Sequence, residues 1–384
     1  MTLRSGRNGA AVVLAAAVLT VAGGVVRGAA PQLADNTAGY AMNFFSDVEG
    51  VHVYTQYVDS AFRLSDQVAA GIEWVHDRVV IPAIDAPPGS AEAIDGITSA
   101  SRPILSEEDA FKDYVKVRNS LQGTMNWSGA GLSYYVSDED DYFAQMLAAA
   151  YAADFMDDNF NLAAGLSYGW DDIRALQQDG SRGSAYRHTS HVNLVATQIV
   201  TPSLRLRVGA ELNLVRGQQH DPYRSVYVGG GIEPELHPDH RSRRDVFVNL
   251  SQYLGNESSL KLDYRYYDDN WSVRSHTWGV RLAQRISRPL TVRYRYRYYT
   301  QGAAWFYRDD YRGGTSIDGY QTADYRLGDY GAHLFGGHVI WRPESLFGGS
   351  GILARTELRF TYERYFNSNN FTANVFETSV SVTF

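Results

Sequence analysis

The feature that most constrains the fold of this chain is a strict alternation of apolar and charged side chains. In the run 204–214 the even positions are apolar, whereas the odd positions are small, polar or charged. The runs 260–266 and 292–298 alternate in the same way. Because successive side chains of a β-strand point to opposite faces, each run is predicted to form a strand with one apolar and one charged face. As a helix, the run 292–298 would place arginines on every side.

The same alternation recurs along the chain and predicts sixteen strands of about ten to fifteen residues. Tilted strands of about ten residues cross a hydrocarbon core, whereas strands of soluble domains are usually shorter. An even number of strands places both chain ends on the same side of a membrane, as bacterial barrels require. The predicted strands begin near Ala38, Gly50, Gln67, Asp113, Gly129, Asp141, Asn159, Arg187, Ser203, Arg243, Ser259, Trp271, Pro289, Asp329, Gly351 and Asn370.

The connections between these strands alternate in length. Longer loops are predicted at 82–112, 174–186, 217–242 and 303–328, and the first of these is long enough to fold inward as a constriction. Short turns at one end and long loops at the other are typical of the periplasmic and extracellular ends of an outer-membrane barrel. The tight turns are predicted at Leu64-Ser65-Asp66, Asp157-Asp158, Thr201-Pro202, Gly255-Asn256-Glu257 and Ser287-Arg288.

A soluble β-sandwich also alternates, so further signals are needed to favour a membrane barrel. The last strand supplies one: Phe376, Thr378, Val380, Val382 and Phe384 share one face. This pattern resembles the terminal strand of outer-membrane proteins, whose final aromatic residue is read by the barrel-assembly machinery; the alternative is an ordinary edge strand. The predicted fold is an all-β, single, antiparallel, up-and-down transmembrane barrel. Aromatic residues near strand ends add an interfacial girdle at Tyr266, Tyr267, Trp271, Tyr298, Tyr299, Tyr365 and Phe366.

The N-terminus has the order of a secretory signal. Arg4 and Arg7 precede the uncharged stretch 9–26, and the small residues Gly28, Ala29 and Ala30 follow. We therefore predict a signal peptide over residues 1–30, with cleavage after Gly28 or Ala30, and a barrel over 31–384. The alternative is a single membrane anchor. Export through this signal predicts a location in the bacterial outer membrane.

Composition excludes several classes of function. A net charge of -8 argues against nucleic acid as a partner, because neutralising phosphates needs a basic excess. The chain has no cysteine, which excludes disulfides, thiolate metal sites and cysteine catalysis. The 27 tyrosines and the 13% of aromatic residues favour β-structure. No cofactor and no metal are predicted.

Four segments carry a resemblance to a known family. They are YYVSDEDDY (134–142), RRDV (243–246), LDYRYYDDNW (262–271) and RYRYRYY (293–299). In these segments and in its overall strand pattern, the mature chain resembles a family of bacterial outer-membrane barrels that has no assigned function. The resemblance implies a porin-like barrel in the outer membrane, and it implies no catalytic residue.

If the apolar faces meet lipid, the charged faces line the interior, because an arginine or lysine facing lipid at the midplane costs about 2–4 kcal/mol. Arginines outnumber carboxylates in this set. Two interpretations stay open: a positive wall that guides anionic solutes, or a ladder of ion pairs that fills the interior. The predicted lumen residues are Arg205, Arg207, Glu211, Asp263, Arg265, Arg281, Arg285, Arg293, Arg295, Arg297, Arg355, Glu357 and Arg359, with Lys261, Glu363 and Glu377 beside them.

Candidate catalytic and metal sites are weak. The pentapeptide 165–169 matches the G-x-S-x-G nucleophile pattern, but it falls inside a predicted strand rather than a strand–turn–helix elbow. His220, His237 and His240 offer metal ligands, yet a solvated basic loop, whose arginines could touch lipopolysaccharide phosphates, is favoured. The acidic tip 138–141 is likewise predicted to be a solvated turn rather than a calcium site.

The function predicted from these patterns is a porin-like channel or transport protein for small polar solutes, anionic ones among them. The alternative is a non-enzymatic scaffold with a filled lumen, which holds a partner protein or stabilises the outer membrane. An outer-membrane enzyme is the third hypothesis, and the chain is predicted not to be one. The expected partners are outer-membrane lipid, lipopolysaccharide and the barrel-assembly machinery.

Overall fold

A computed structural model describes residues 36–83, 112–177, 179–229, 231–309, 311, 314–343 and 351–384. Sixteen strands form a closed antiparallel barrel in chain order, and two short strands form a separate hairpin. The first half of the barrel contains β1 (Thr37–Asp47), β2 (His52–Arg63), β3 (Val68–Ile81), β4 (Tyr114–Trp127), β5 (Ala130–Asp138), β6 (Tyr142–Phe155), β7 (Phe160–Ile173) and β8 (Ala185–Thr201). The second half contains β9 (Leu204–Gly217), β12 (His240–Tyr253), β13 (Ser258–Asp269), β14 (Arg274–Ser287), β15 (Leu290–Gln301), β16 (Tyr330–Trp341), β17 (Thr356–Asn367) and β18 (Thr372–Thr383), and the hairpin is β10 (Ser225–Val228) and β11 (Gly231–Pro234).

The sheet closes because β1 pairs with strands on both of its edges. It pairs with β2, and it pairs with β18 from Thr37↔Thr383 to Asp47↔Ala373. Closure satisfies the backbone groups of both edges, which is what a sheet needs in order to stand in lipid. The all-β, single-barrel prediction and the sixteen strands are confirmed. The largest displacement is at β17, which was predicted near Gly351 and starts at Thr356 because a 3-10 turn precedes it.

Turns and loops separate to opposite ends of the barrel. All five predicted tight turns lie at the end where β1 begins and β18 ends, whereas the four predicted long loops lie at the other end. The connection 342–355 between β16 and β17 is an exception, since it is long and belongs to the short-turn end. The β4–β5 turn shows the local cause: Ser128 and Gly129 have φ of 42° and 84°, the two positive values that a two-residue hairpin turn requires. The predicted signal peptide and the predicted inward fold of 82–112 lie outside the described residues, apart from the ends of that loop.

The two faces of the wall differ as the alternation predicts. Outward positions carry large apolar side chains that are widely exposed, including Leu166 at 61% and Val192 at 55%. Inward positions carry charged and small residues over much of the wall, with an apolar cluster near the loop end that includes Phe45, Val53 and Val79. The exposed apolar belt therefore surrounds a largely polar interior, as in membrane barrels. In the described part of the chain, no helix has the length and apolarity that a membrane span requires.

Candidate functional site in the barrel interior

The structure places every predicted lumen residue except Arg355 at an inward strand position. Arg355 lies instead on the exposed 3-10 turn Leu353–Arg355, because β17 starts one residue later. The prediction of Arg355 as a wall residue is therefore corrected. Arg285 is inward but lies beside a β-bulge at the short-turn end, where its Nη2 donates to the carbonyl oxygen of Arg288 at 3.2 Å.

An inner-wall cavity of about 310 Å³ forms where β9 and β12–β15 meet. Its lining contains five arginines and a single aspartate, so its charge is predominantly positive. We call it the arginine cavity. The sequence placed these residues on one face of their strands, and only the register of five strands brings them together. The charged lining residues are Arg207, Asp263, Arg265, Arg281, Arg295 and Arg297.

Carboxylates match three of the five arginines. Arg281 makes a bidentate contact with Asp263, with Nη2–Oδ1 and Nη2–Oδ2 distances of 2.8 Å each. Arg265 Nη2 lies 2.5 Å from Asp245 Oδ2, and Arg295 Nη1 lies 2.7 Å from Glu363 Oε1. These pairs fix the side chains and neutralise their charge, so they contribute packing more than attraction for a solute.

Two arginines of the cavity keep an unmatched charge. Among the described residues, neither Arg207 nor Arg297 forms an ion pair with a carboxylate. Arg207 lies with its guanidinium 5.6 Å from the ring centre of Phe247, a cation–π distance. Phe247 takes this place because Gly209 leaves room: a Cβ there would lie 2.3 Å from the ring. Gly209 thus allows the Phe247 ring to lie where it contacts the unpaired guanidinium of Arg207.

The other lumen residues extend this charge along the wall. Arg293 approaches His338, with an Nη1–Nε2 distance of 3.4 Å, and Arg205 is exposed to the interior near the short-turn end. Glu357 is held by Arg359 at 2.9 Å, with Arg342 at 2.5 Å on its other side. Glu211 lies 3.6 Å from His191. The wall therefore contains both paired and unpaired arginines, and the choice between a guiding wall and a filled interior stays open.

Acidic side chains lie on the opposite side of the barrel. Asp59 on β2 and Glu73 on β3 face inward directly across from each other. In the strand order, β2 and β12 are eight positions apart in a barrel of sixteen, so the acidic and basic walls face one another. This separation of charge creates a field across the lumen, which acts on the path of any ion that enters.

Loops at the loop end of the barrel pack against one another. We define the loop cap as the described residues of 218–239 and 302–329. The two segments are joined by paired backbone hydrogen bonds of 2.9 Å between Leu236 and Gln321, and Glu235 Oε1 accepts from Thr322 Oγ1 at 2.9 Å. Trp271, in the connection between β13 and β14, packs edge to face against Phe306 of the cap, with ring centres 5.2 Å apart. The solvated loop predicted at 217–242 is wrong for Tyr223, Val226, Glu235 and the His237 side chain, which are buried. Residues 232–234, 239 and 240 are exposed, as predicted.

Two further residues in this region were misassigned by sequence. Glu139 and Asp141 of the acidic tip are buried and bind Lys116 at 2.8 and 2.9 Å, so that part of the tip is not solvated. Tyr223 of the loop cap donates to Asp141 at 2.5 Å, which ties the cap to the neighbouring hairpin. The position of Lys116 in an alternating strand does not indicate which distant carboxylates it contacts.

Charged groups inside the loop cap make it sensitive to pH. Burial raises the pKa of Asp221 to about 6, although the Tyr223 amide donates to its Oδ1 at 2.9 Å. A raised pKa contributes stability that is complete below the unfolded value of 3.8 and is lost as pH rises through about 6. Burial opposes ionisation of Asp324 as well, but Arg326 and Arg224 outweigh it and lower its pKa.

The loop cap is therefore expected to loosen through Asp221 as pH rises from about 5 to 7.5. Asp221→Asn keeps the hydrogen-bond acceptor and removes the titration. Protease cleavage within the cap of the folded barrel should rise with pH in the wild type relative to the variant. Burial and His237 lower the pKa of neighbouring His220, which acts in the opposite direction, so the two proteins are compared at each pH. Identical pH profiles would contradict this role of Asp221.

The remaining candidate sites have no catalytic or metal geometry. The pentapeptide 165–169 lies within β7, with Ser167 directly across from His191 but on straight strands rather than an elbow. His188 faces outward against Tyr168, whereas His191 faces inward toward Glu211, so the two histidines point apart. Among the described residues there is no group of three or more acidic or histidine side chains that could hold a metal ion.

The predicted assembly residues lie on the outer face of β18. Phe376 and Phe384 are about half exposed, and Phe376 packs against Tyr362 of β17 with ring centres 4.9 Å apart. Val380 and Val382 share this face and pair with Tyr40 and Ala38 of β1. Recognition of this surface by an assembly machinery stays a prediction.

A closed barrel with an apolar outer belt, a charged interior and first and last strands that begin and end at the short-turn end is a porin-like β-barrel of the outer-membrane type. The chain belongs to the family described as "Protein of unknown function (DUF3570)", whose model matches residues 9–357. This confirms the resemblance to an outer-membrane barrel family without an assigned function. A comparison with curated proteins finds no match.

Solved outer-membrane barrels are similar to this chain over most of its length. The loop L8 deletion mutant of OmpT, an outer membrane protein of Vibrio cholerae, is 10% identical with a TM-score of 0.46 and covers 91% of this chain and 98% of its own. OpdK of Pseudomonas aeruginosa is 12% identical with a TM-score of 0.44 and the same coverage. A BenF-like porin from Pseudomonas fluorescens Pf-5 is 11% identical with a TM-score of 0.43, again covering 91% and 98%.

Proposed function

We propose that this protein is a non-enzymatic outer-membrane channel that favours small anionic solutes. The observation that carries the proposal is the arginine cavity, in which Arg207 and Arg297 keep unmatched positive charge beside the fixed ion pairs. Positive charge on a low-dielectric wall raises the local concentration of anions without binding them tightly, which is what passage requires. The acidic residues Asp59 and Glu73 on the far wall strengthen the same field.

The proposal includes the route to the membrane and the surroundings there. Residues 1–30 act as a signal peptide, and the outer face of β18 with Phe384 is read by the barrel-assembly machinery. The mature barrel stands in the outer membrane in contact with lipid and lipopolysaccharide. Its exposed apolar belt and its closed edges support this environment.

Ion selectivity in planar bilayers tests the channel. In a salt gradient the wild-type barrel should conduct with anion selectivity, and Arg293→Gln/Arg295→Gln/Arg297→Gln should reduce the anion-to-cation ratio about ten-fold at low salt. The difference should shrink at about 1 M salt, where charges are screened within about 3 Å. Arg244→Gln, which faces outward, is the matched control and should leave selectivity unchanged. Absence of conductance at every voltage would overturn the proposal.

A scaffold with a filled lumen is the second candidate, and buried pairs at the loop end favour it. Arg118 pairs with Asp77, and their side chains are 10% and 7% exposed. Together with Lys116 and the loop cap, they fill space that an open pore would leave to water. A folded barrel that never conducts, including after the cap is disrupted, would support this function instead.

A further inference from the structure

The outward side of the loop end carries a basic patch that the channel does not use. Arg244, Asp268 and Arg274 lie directly across from one another on β12, β13 and β14, at positions that face away from the lumen. Asp268 holds both guanidinium groups, at 3.1 Å from Arg244 and 3.3 Å from Arg274. The arginine side chains remain 67% and 72% exposed. Two arginines on one carboxylate leave a net positive charge.

Further basic side chains continue this patch around the rim. Arg216 on β9 is exposed, and it lies directly across from His240 on β12 and His188 on β8. We call Arg216, His240, Arg244 and Arg274 the outer basic patch. By contrast, Arg241 faces inward, pairs with Asp269 at 2.5 Å and stacks on Trp271. The arginines of this segment therefore belong to two surfaces, and only the outward ones can meet lipid.

The depth of the patch is set by the aromatic residues beneath it. Trp278, Tyr264 and His276 form an outward cluster, with the Trp278 and Tyr264 rings 4.3 Å apart and Tyr264 Oη 2.9 Å from His276 Nδ1. Such rings favour the boundary between acyl chains and headgroups. Arg274 lies four residues beyond Trp278 on the same strand, about 13 Å toward the loop end. Its guanidinium is thus at the level of the headgroups of the outer leaflet.

We propose that the outer basic patch binds the phosphate groups of the glycolipid that forms the outer leaflet. Guanidinium groups bind phosphate through paired, charge-assisted hydrogen bonds, and the patch presents several of them at a fixed spacing. Asp268 sets the spacing of Arg244 and Arg274 and prevents their mutual repulsion. The inference rests on the proposed outer-membrane location, and it goes beyond the channel because none of these side chains faces the lumen.

Binding of purified lipid A to the detergent-solubilised, folded barrel tests the proposal. Arg244→Glu/Arg274→Glu should bind lipid A about ten-fold or more weakly than the wild type. Arg78→Glu is the control, because Arg78 also faces outward near the loop end but lies on β3, and it should bind as the wild type does. The wild type should bind dephosphorylated lipid A no more tightly than the double variant does. Inorganic phosphate at the same concentration as lipid A should not displace lipid A from the wild type.

Three outcomes would overturn the inference: equal binding by the double variant, an equal loss in Arg78→Glu, or equal binding of the dephosphorylated lipid. For each variant, a change in gel mobility between unheated and heated samples verifies that the barrel is folded. Bilayer conductance of the double variant should match the wild type. A barrel that conducts but shows no phosphate preference contradicts only the lipid site, whereas one that binds lipid A but never conducts contradicts only the channel.

Discussion

Trp271→Ala is expected to open the loop end of the barrel and raise its single-channel conductance. The Trp271 side chain is 2% exposed and packs between Phe306 and His237, with ring centres 5.2 and 5.4 Å away. Removing a buried tryptophan costs about 3–5 kcal/mol, because the lost contacts leave a cavity. The loss falls on the loop cap rather than on the wall, since Trp271 lies in the connection between β13 and β14.

Single-channel recording and limited proteolysis measure this effect together. The variant should show larger or longer openings and faster cleavage within 302–309. Trp278→Ala is the matched control, because Trp278 faces outward and is 54% exposed, so its removal leaves the cap intact. The role of the cap in restricting the mouth is refuted if conductance and cleavage of Trp271→Ala equal those of the wild type.

Substitutions on the two faces of β12 are expected to change the stability of the barrel by very different amounts. Val248 and Asn249 are neighbours on β12, and Val248 faces outward with 41% exposure, whereas Asn249 faces inward and donates to Asp263 at 2.8 Å. Val248→Arg is expected to destabilise the barrel in lipid by about 2–4 kcal/mol, because it places a charge in the apolar belt. Asn249→Arg should have a much smaller effect, since the new side chain enters the polar interior rather than the hydrocarbon.

Urea unfolding of both variants in lipid bilayers provides the comparison. Equal losses of stability would mean that the face of the strand does not matter, which contradicts a lipid-facing belt. A lipid-facing belt would also be contradicted if the mature chain stayed dissolved as a folded monomer without detergent.

The alternation of side chains predicted the wall of the barrel because a strand has a period of two wherever it lies. The signal is local, so the strands around Leu206 and Tyr296 were visible in runs of about ten residues. Tight turns were visible for the same reason, since Asp157-Asp158 and Gly255 mark positions with positive φ. The start of β17 was misplaced most, and the assignment of Arg355 failed with it. Trp271 was predicted to begin a strand and to join the interfacial girdle, but it lies in the connection before β14 and is 2% exposed.

The loop cap and the ion pairs depend on contacts between residues far apart in the chain. Glu235 contacts Thr322, and Tyr223 contacts Asp141, although the two residues of each pair are far apart in the sequence. No local sequence pattern predicts such contacts. Burial there reversed the interpretation of His237, which is 4% exposed rather than solvated. The alternation likewise predicted which arginines face inward, but it did not predict which of them are neutralised by a carboxylate. The distinction between Arg281, which is paired, and Arg297, which is not, needs the register of neighbouring strands.

The seam between β1 and β18 has a consequence for how the protein is made. The first strand to emerge during synthesis has its partner among the last residues of the chain, and Phe384 donates from its backbone to Asn36 at 2.9 Å. The cylinder therefore cannot close until β18 has been made and has reached β1. Until then the edges of β1 and β18 lack their partner, and unpaired edges of this length favour pairing with other chains.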